Sequence, residues 1–114
     1  MLIELVNPTR RFRMEEPIVE VGVCMATPAA LKVMYTQGIS PKRLIRRHSQ
    51  GDLGNLPVEE QRMQMWLLRN CGFVRGAHHI PLQRHMHCEA TYTVYIMTIL
   101  SKRSTVFFCL SDVS

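Results

Sequence analysis

The sequence predicts an α+β fold, a mainly antiparallel sheet of three to five strands covered on one face by two or three helices, in the order β(β)αααβββ. Three observations carry that expectation. Strand-like runs occupy both ends of the chain, three segments with helical start and stop signals fill the middle, and the hydrophobic period shortens beyond Gly72. A length of 114 residues suits one domain spanning 1–114, with no internal repeat, low-complexity segment or linker.

Residues 1–16 read as a short strand followed by a basic turn around Pro8, Arg10, Arg11 and Arg13. Pro17 to Ala26 is the first full strand. Ile18, Glu20, Gly22 and Cys24 would share one face, and Val19, Val21, Val23 and Met25 the other; the second set is uniformly apolar and should meet the core. Thr27-Pro28 supplies an N-cap and a proline at the first helical position, and Gly38 stops that helix. Leu31, Met34 and Tyr35 would form its buried stripe. Ser40-Pro41 repeats the start, with Gly51 as the stop. Leu44, Ile45 and His48 share one face of this second helix, while Arg43, Arg46, Arg47 and Gln50 lie on another.

A third helix is expected from Asn55 or nearby. Glu59 and Glu60 in its first turn complement the helix dipole, Met63, Trp66, Leu67 and Asn70 line one side, and Gly72 ends it; Trp66 is expected in the core. Phe73 to Leu82 reads as a strand broken at Gly76 and closed by Pro81, and Gln83 to Ala90 as a polar connector. Thr91–Leu100 and Thr105–Leu110 are rich in β-branched and aromatic residues and should form a hairpin around Ser101–Ser104. The first strand is expected to pair with that hairpin.

Hydrophobic residues make up 46% and charged residues 20%, with a mean hydropathy of −0.02, which excludes a disordered chain. The net charge of +5 and pI near 9.4 favour acidic partners without naming an activity. Eleven of the 14 basic residues are Arg, and four of the five His fall between His78 and His87. The apolar stretch Leu2–Val6 carries Glu4 and falls short of the ~7–15 residues of a secretory leader. No run approaches the ~20 apolar residues of a membrane span. A cytoplasmic protein is therefore expected, with Cys24, Cys71, Cys88 and Cys109 as reduced thiols, mostly in the core.

Several stretches together resemble a known family. They are Ala26-Thr-Pro-Ala-Ala-Leu31, Gly38-Ile-Ser-Pro41, Arg47-His-Ser-Gln-Gly-Asp-Leu-Gly-Asn-Leu56 and the closing Tyr95–Leu110. They look like small uncharacterised bacterial proteins carried on plasmids and other mobile elements, often labelled type I restriction modification subunits. The resemblance covers roughly residues 24–112 and is most specific at Arg47–Leu56. It implies a fold and a genetic context, and carries no activity over. The restriction label itself fails on chemistry, because a DNA methyltransferase needs a glycine-rich cofactor loop in a much longer α/β domain. The segment His79–Glu89 also departs from the family, whose members have a short polar turn there.

Four constellations carry candidate chemistry. His78, His79, His85, His87 and Cys88 offer imidazole and thiolate donors within eleven positions, but in no zinc spacing, and a solvated loop accounts for them; no metal is assigned. Lys42, Arg43, Arg46 and Arg47 on one short helix form a candidate site for an anion or nucleic acid, since guanidinium groups grip phosphate in a bidentate way. Gly51-Asp52-Leu53-Gly54-Asn55 places a carboxylate near His48, the only pair suited to acid–base catalysis. Geometry explains the same residues: glycines for positive φ, Asp52 or Asn55 as the next cap, and His48 bonded to the turn. Cys24 precedes a helix start, where a thiolate is stabilised, yet a core role suffices. No GxSxG, P-loop or HExxH occurs, so no catalytic residue and no cofactor is assigned.

The leading expectation is a non-enzymatic binding or interaction protein of a mobile element. It would form a homodimer through the C-terminal strands, which are apolar on both faces. The alternative is nucleic-acid binding through the Arg-rich helix face, and a third is a small enzyme or metal-binding protein.

Overall fold

The computed structural model describes residues 1–6, 17–81 and 91–113. The strands are β1 (Ile3–Leu5), β2 (Val23–Ala26), β3 (Phe73–Pro81), β4 (Thr91–Ile99) and β5 (Ser104–Phe108). The helices are α1 (Pro28–Thr36), α2 (Pro41–Ser49) and α3 (Val58–Cys71). All five strands join in one sheet of order β1-β2-β5-β4-β3, giving the expected α+β class. The first full strand does lie beside the C-terminal hairpin, but parallel to it: β2 pairs with β5 in the same direction, while the other three pairings are antiparallel. The sheet is therefore mixed.

The helices cover one face, here called inner. Cys24, Ala26, Val74, Ile80, Val94, Ile96 and Phe107 point into it and meet Ala30, Met34, Leu44 and Ile45 from α1 and α2. Strand alternation predicts Val19, Val21, Val23 and Met25 inward, and only the first two are. Beyond Gly22 the inward set switches to Cys24 and Ala26, with Val23 and Met25 half-buried on the outer face. Gly22 causes the switch. Its φ of +62° breaks the extended backbone, and a Cβ there would stand 2.1 Å from the Arg103 carbonyl oxygen. Consequently β2 begins only at Val23, and the preceding stretch is held instead by the Ile18 and Val19 amides donating to the Ser49 carbonyl.

Helix starts follow their punctuation. Thr27 Oγ1 accepts from the Ala30 amide, and proline opens both α1 and α2. Two buried stripes differ from expectation. In α1 the inward residues are Ala30 and Met34, and Tyr35 is 65% exposed. In α3 the half-buried line is Gln61, Gln64, Met65 and Leu68, leaving Met63 and Trp66 exposed. Met65 and Leu68 pack against the core and Gln64 Oε1 accepts from the Arg75 amide, which turns that side of α3 toward the sheet. The helix also starts later than expected. Pro57 disfavours helix at Leu56, so α3 begins at Val58 and Asn55 is free for other bonds. Those bonds seal the edge of β3. The Ala77 amide donates to the Leu53 carbonyl, the Asn55 amide to the Ala77 carbonyl, and the Arg75 and His79 amides to Gln64 Oε1 and Asn55 Oδ1. An exposed strand edge is thereby capped against pairing with another chain. Gly76 does not interrupt β3; it makes room, because a Cβ would stand 3.2 Å from both Ile96 Cγ2 and the Leu53 carbonyl oxygen.

Candidate functional site

Three regions carry candidate chemistry: the outer face of α2, a buried polar chain beneath it, and the face of the sheet opposite that chain.

Nine residues form α2. Leu44, Ile45, His48 and Ser49 are buried, which leaves Lys42, Arg43, Arg46 and Arg47 in an exposed row one turn deep on the opposite side. All four predicted residues are brought together. No acidic residue lies in the first turn. Arg47 Nε donates to Asp52 Oδ2 at 2.8 Å in a half-exposed pair, worth at most about 1 kcal/mol. Arg10, Arg11 and Arg13 lie outside the described residues, and Lys102 and Arg103 sit apart in the turn before β5.

Beneath α2 a chain of hydrogen bonds crosses the core. His48 Nε2 is 2.9 Å from Thr98 Oγ1, Thr98 Oγ1 is 2.6 Å from Thr105 Oγ1, and Thr105 donates to the Val21 carbonyl at 2.7 Å. Proton counting orders the chain. Thr105 spends its only hydroxyl proton on Val21, so Thr98 must donate to Thr105, and His48 must donate through Nε2–H to Thr98. His48 is thus the Nε2–H tautomer, with Nδ1 buried and without a hydrogen-bond partner among the described residues. Burial first, and then the neighbouring His78, depresses its pKa from 6.5 to about 4 against the opposing pull of Asp52.

His78 occupies an inward position of β3, with Nε2 likewise buried and unpartnered among the described residues. Burial and then Arg47 lower its pKa to about 4 as well, again opposed by Asp52. Gly54 passes close by: a Cβ on it would stand 2.8 Å from His78 Nδ1 and 2.2 Å from the Ala77 carbonyl oxygen. The expected roles of this turn are corrected here. Asp52 does not cap α3. It accepts from the Gly54 amide and from Arg47, whose hydrogen bond is the main cause of its lowered pKa. Asn55 serves the edge of β3, and the His48 side chain bonds Thr98 rather than the turn. His48 and Asp52 are each committed elsewhere, so they are not arranged as a catalytic dyad.

The outer sheet face carries Met25, Phe73, Tyr95, Met97, Val106 and Phe108, all half-buried. Tyr95 stacks on Phe108 with ring centroids 5.4 Å apart, and the Arg75 guanidinium carbon lies 5.4 Å from the Tyr95 centroid. Arg75 Nε is buried without a hydrogen-bond partner among the described residues. The result is an Arg–Tyr–Phe row across three strands. Sequence reading found the apolar strands but missed Arg75 as their partner. It also missed Thr98 and Thr105, although a polar residue at the inward phase of two adjacent strands was a readable signal.

Elsewhere the candidates thin out. His78 and His79 point to opposite faces of β3, and His85, His87 and Cys88 lie outside the described residues. No group of three or more His, Cys, Asp or Glu suited to a metal occurs among the described residues. Cys24 and Cys109 are buried, and burial pushes the Cys109 thiol up; Cys71 is exposed. No helix of the described residues is long and apolar enough to cross a membrane. A scan against family models, a search of curated proteins and a search of solved structures each return no match for this chain.

Proposed function

We propose that this is a non-catalytic interaction protein, carried on a mobile element as the family resemblance implies, that works as a homodimer joined through its outer sheet face. One observation carries the reading: the Arg75–Tyr95–Phe108 row set among Met97, Val106 and Phe73, on a face that lies opposite the helices. Aromatic, Met and Arg side chains in that mixture are the usual anchors of protein interfaces. A second copy is the fitting occupant because the patch is largely uncharged and self-complementary, so apolar strands meet apolar strands. At ~4.8 Å per strand and ~3.3 Å per residue, the face spans about 400 Å² in plan, a small patch beside a standard interface, so a weak, concentration-dependent dimer is expected.

Light scattering over a concentration series tests the proposal. The mass should rise from 13.2 kDa toward twice that value in the micromolar range, and Met97→Glu should hold it at the monomer mass. A chain that stays at 13.2 kDa at high micromolar concentration contradicts the homodimer.

A further inference from the structure

From the cation row of α2 we infer a second binding surface, independent of the sheet face: a site for the phosphate backbone of nucleic acid, used without reading sequence. His48 ties the buried side of α2 to the inner face of the sheet, so Lys42, Arg43, Arg46 and Arg47 point away from it. Dimerisation through the outer face would leave the row open on each copy.

Local structure accounts for only part of this row. Arg46 and Arg47 stand in the last turn, where cations offset the negative end of the helix dipole. Lys42 and Arg43 stand in the first turn, where the dipole disfavours them, and no acidic residue accompanies them. Their presence is therefore unexplained by helix stability. A ligand that carries regularly spaced negative charge explains Lys42 and Arg43, and its charge can extend over Arg46 and, by exchange with the Asp52 partner, Arg47. The two pairs lie one turn apart, about 6 Å along the axis, so they can contact neighbouring phosphates of one strand. Three of the four are Arg, which grips phosphate oxygens in a bidentate way. The row contains no aromatic residue to stack on bases, and cations spaced to meet neighbouring phosphates position a strand without specifying sequence.

Fluorescence anisotropy with a short labelled DNA duplex of arbitrary sequence tests the site. Three to four phosphate contacts predict that affinity falls roughly 40- to 150-fold between 50 and 200 mM salt. The double variant Lys42→Ala/Arg43→Ala should weaken binding at least about 10-fold at low salt and lower the salt slope by about 2. Its thermal stability should hold or rise, since a dipole conflict is relieved. Arg62→Ala/Arg69→Ala, which removes the same charge from exposed positions of α3, should bind within about twofold of the parent protein. A duplex of different sequence should bind equally. The proposal is overturned by no binding at 50 mM salt, by equal loss in both double variants (net charge alone), or by competition from polyglutamate as strong as from DNA, which would assign the row to acidic proteins.

Discussion

Phe107 and Phe108 are neighbours in β5 and share their chemistry, yet they belong to opposite sides of one sheet. Phe107 is wholly buried among the helices, and Phe108 lies half-open beside Tyr95. Around Phe107 the sheet is covered by packed side chains. Helices supply apolar cover, and the polar side chains His48, Thr98 and Thr105 are bonded in one directed chain. Around Phe108 the strands offer aromatic, Met and Arg groups that other described elements leave half-exposed. The inner face stabilises the fold, and the outer face is the one proposed to bind a second copy.

The largest test of this contrast is Phe107→Ala. Emptying a fully buried aromatic site should cost about 3–5 kcal/mol in chemical denaturation. Phe108→Ala on the outer face should cost the monomer only about 1 kcal/mol while weakening self-association. If the two losses are similar, the outer face is core and the distinction fails.

Acid should attack the inner face next. The folded-state pKa of His48 lies near 4, below its unfolded value of 6.5, so the unfolded chain binds more protons between those values. Stability is therefore complete above about pH 6.5 and declines as pH falls toward 4, by up to about 3 kcal/mol for this residue alone. His78 acts in the same direction, and Asp52 adds a loss at still lower pH as its carboxylate is protonated away from Arg47. Thermal melts at about pH 7 and about pH 5, above and below the unfolded-state value, should show the decline, and His48→Gln should reduce it. A melting temperature indifferent to this range contradicts the neutral buried pair.

Thr98→Val should follow in size. It keeps the shape but leaves the His48 Nε2–H without its acceptor, at a cost of about 1–3 kcal/mol by urea titration. Thr105→Val should act similarly, and the double variant should cost less than the sum because one chain is broken twice.

Much of the fold was readable because its signals are local. Thr27-Pro28, Ser40-Pro41 and Gly72 mark helix ends through backbone chemistry that needs no tertiary partner. The cation row of α2 was readable for the same reason, since a period of 3.6 fixes which residues share a side. Three features escaped. The change of face at Gly22 depends on close approach to Arg103, the exposure of Trp66 on which side of α3 packs against the core and β3, and the His48–Thr98 bond on residues 50 positions apart. Each is set by packing between distant segments. The alternation of β4 and β5 showed two apolar faces, but only the layer order reveals which one α1 and α2 cover.

The most direct measurement is an isotope-filtered NOE experiment on a mixture of labelled and unlabelled protein at high micromolar concentration. Intermolecular contacts among Tyr95, Met97, Val106 and Phe108 are the predicted result. Contacts that instead involve Trp66 or α2, or none between copies at all, would contradict the assignment of the outer sheet face as the surface through which this protein works.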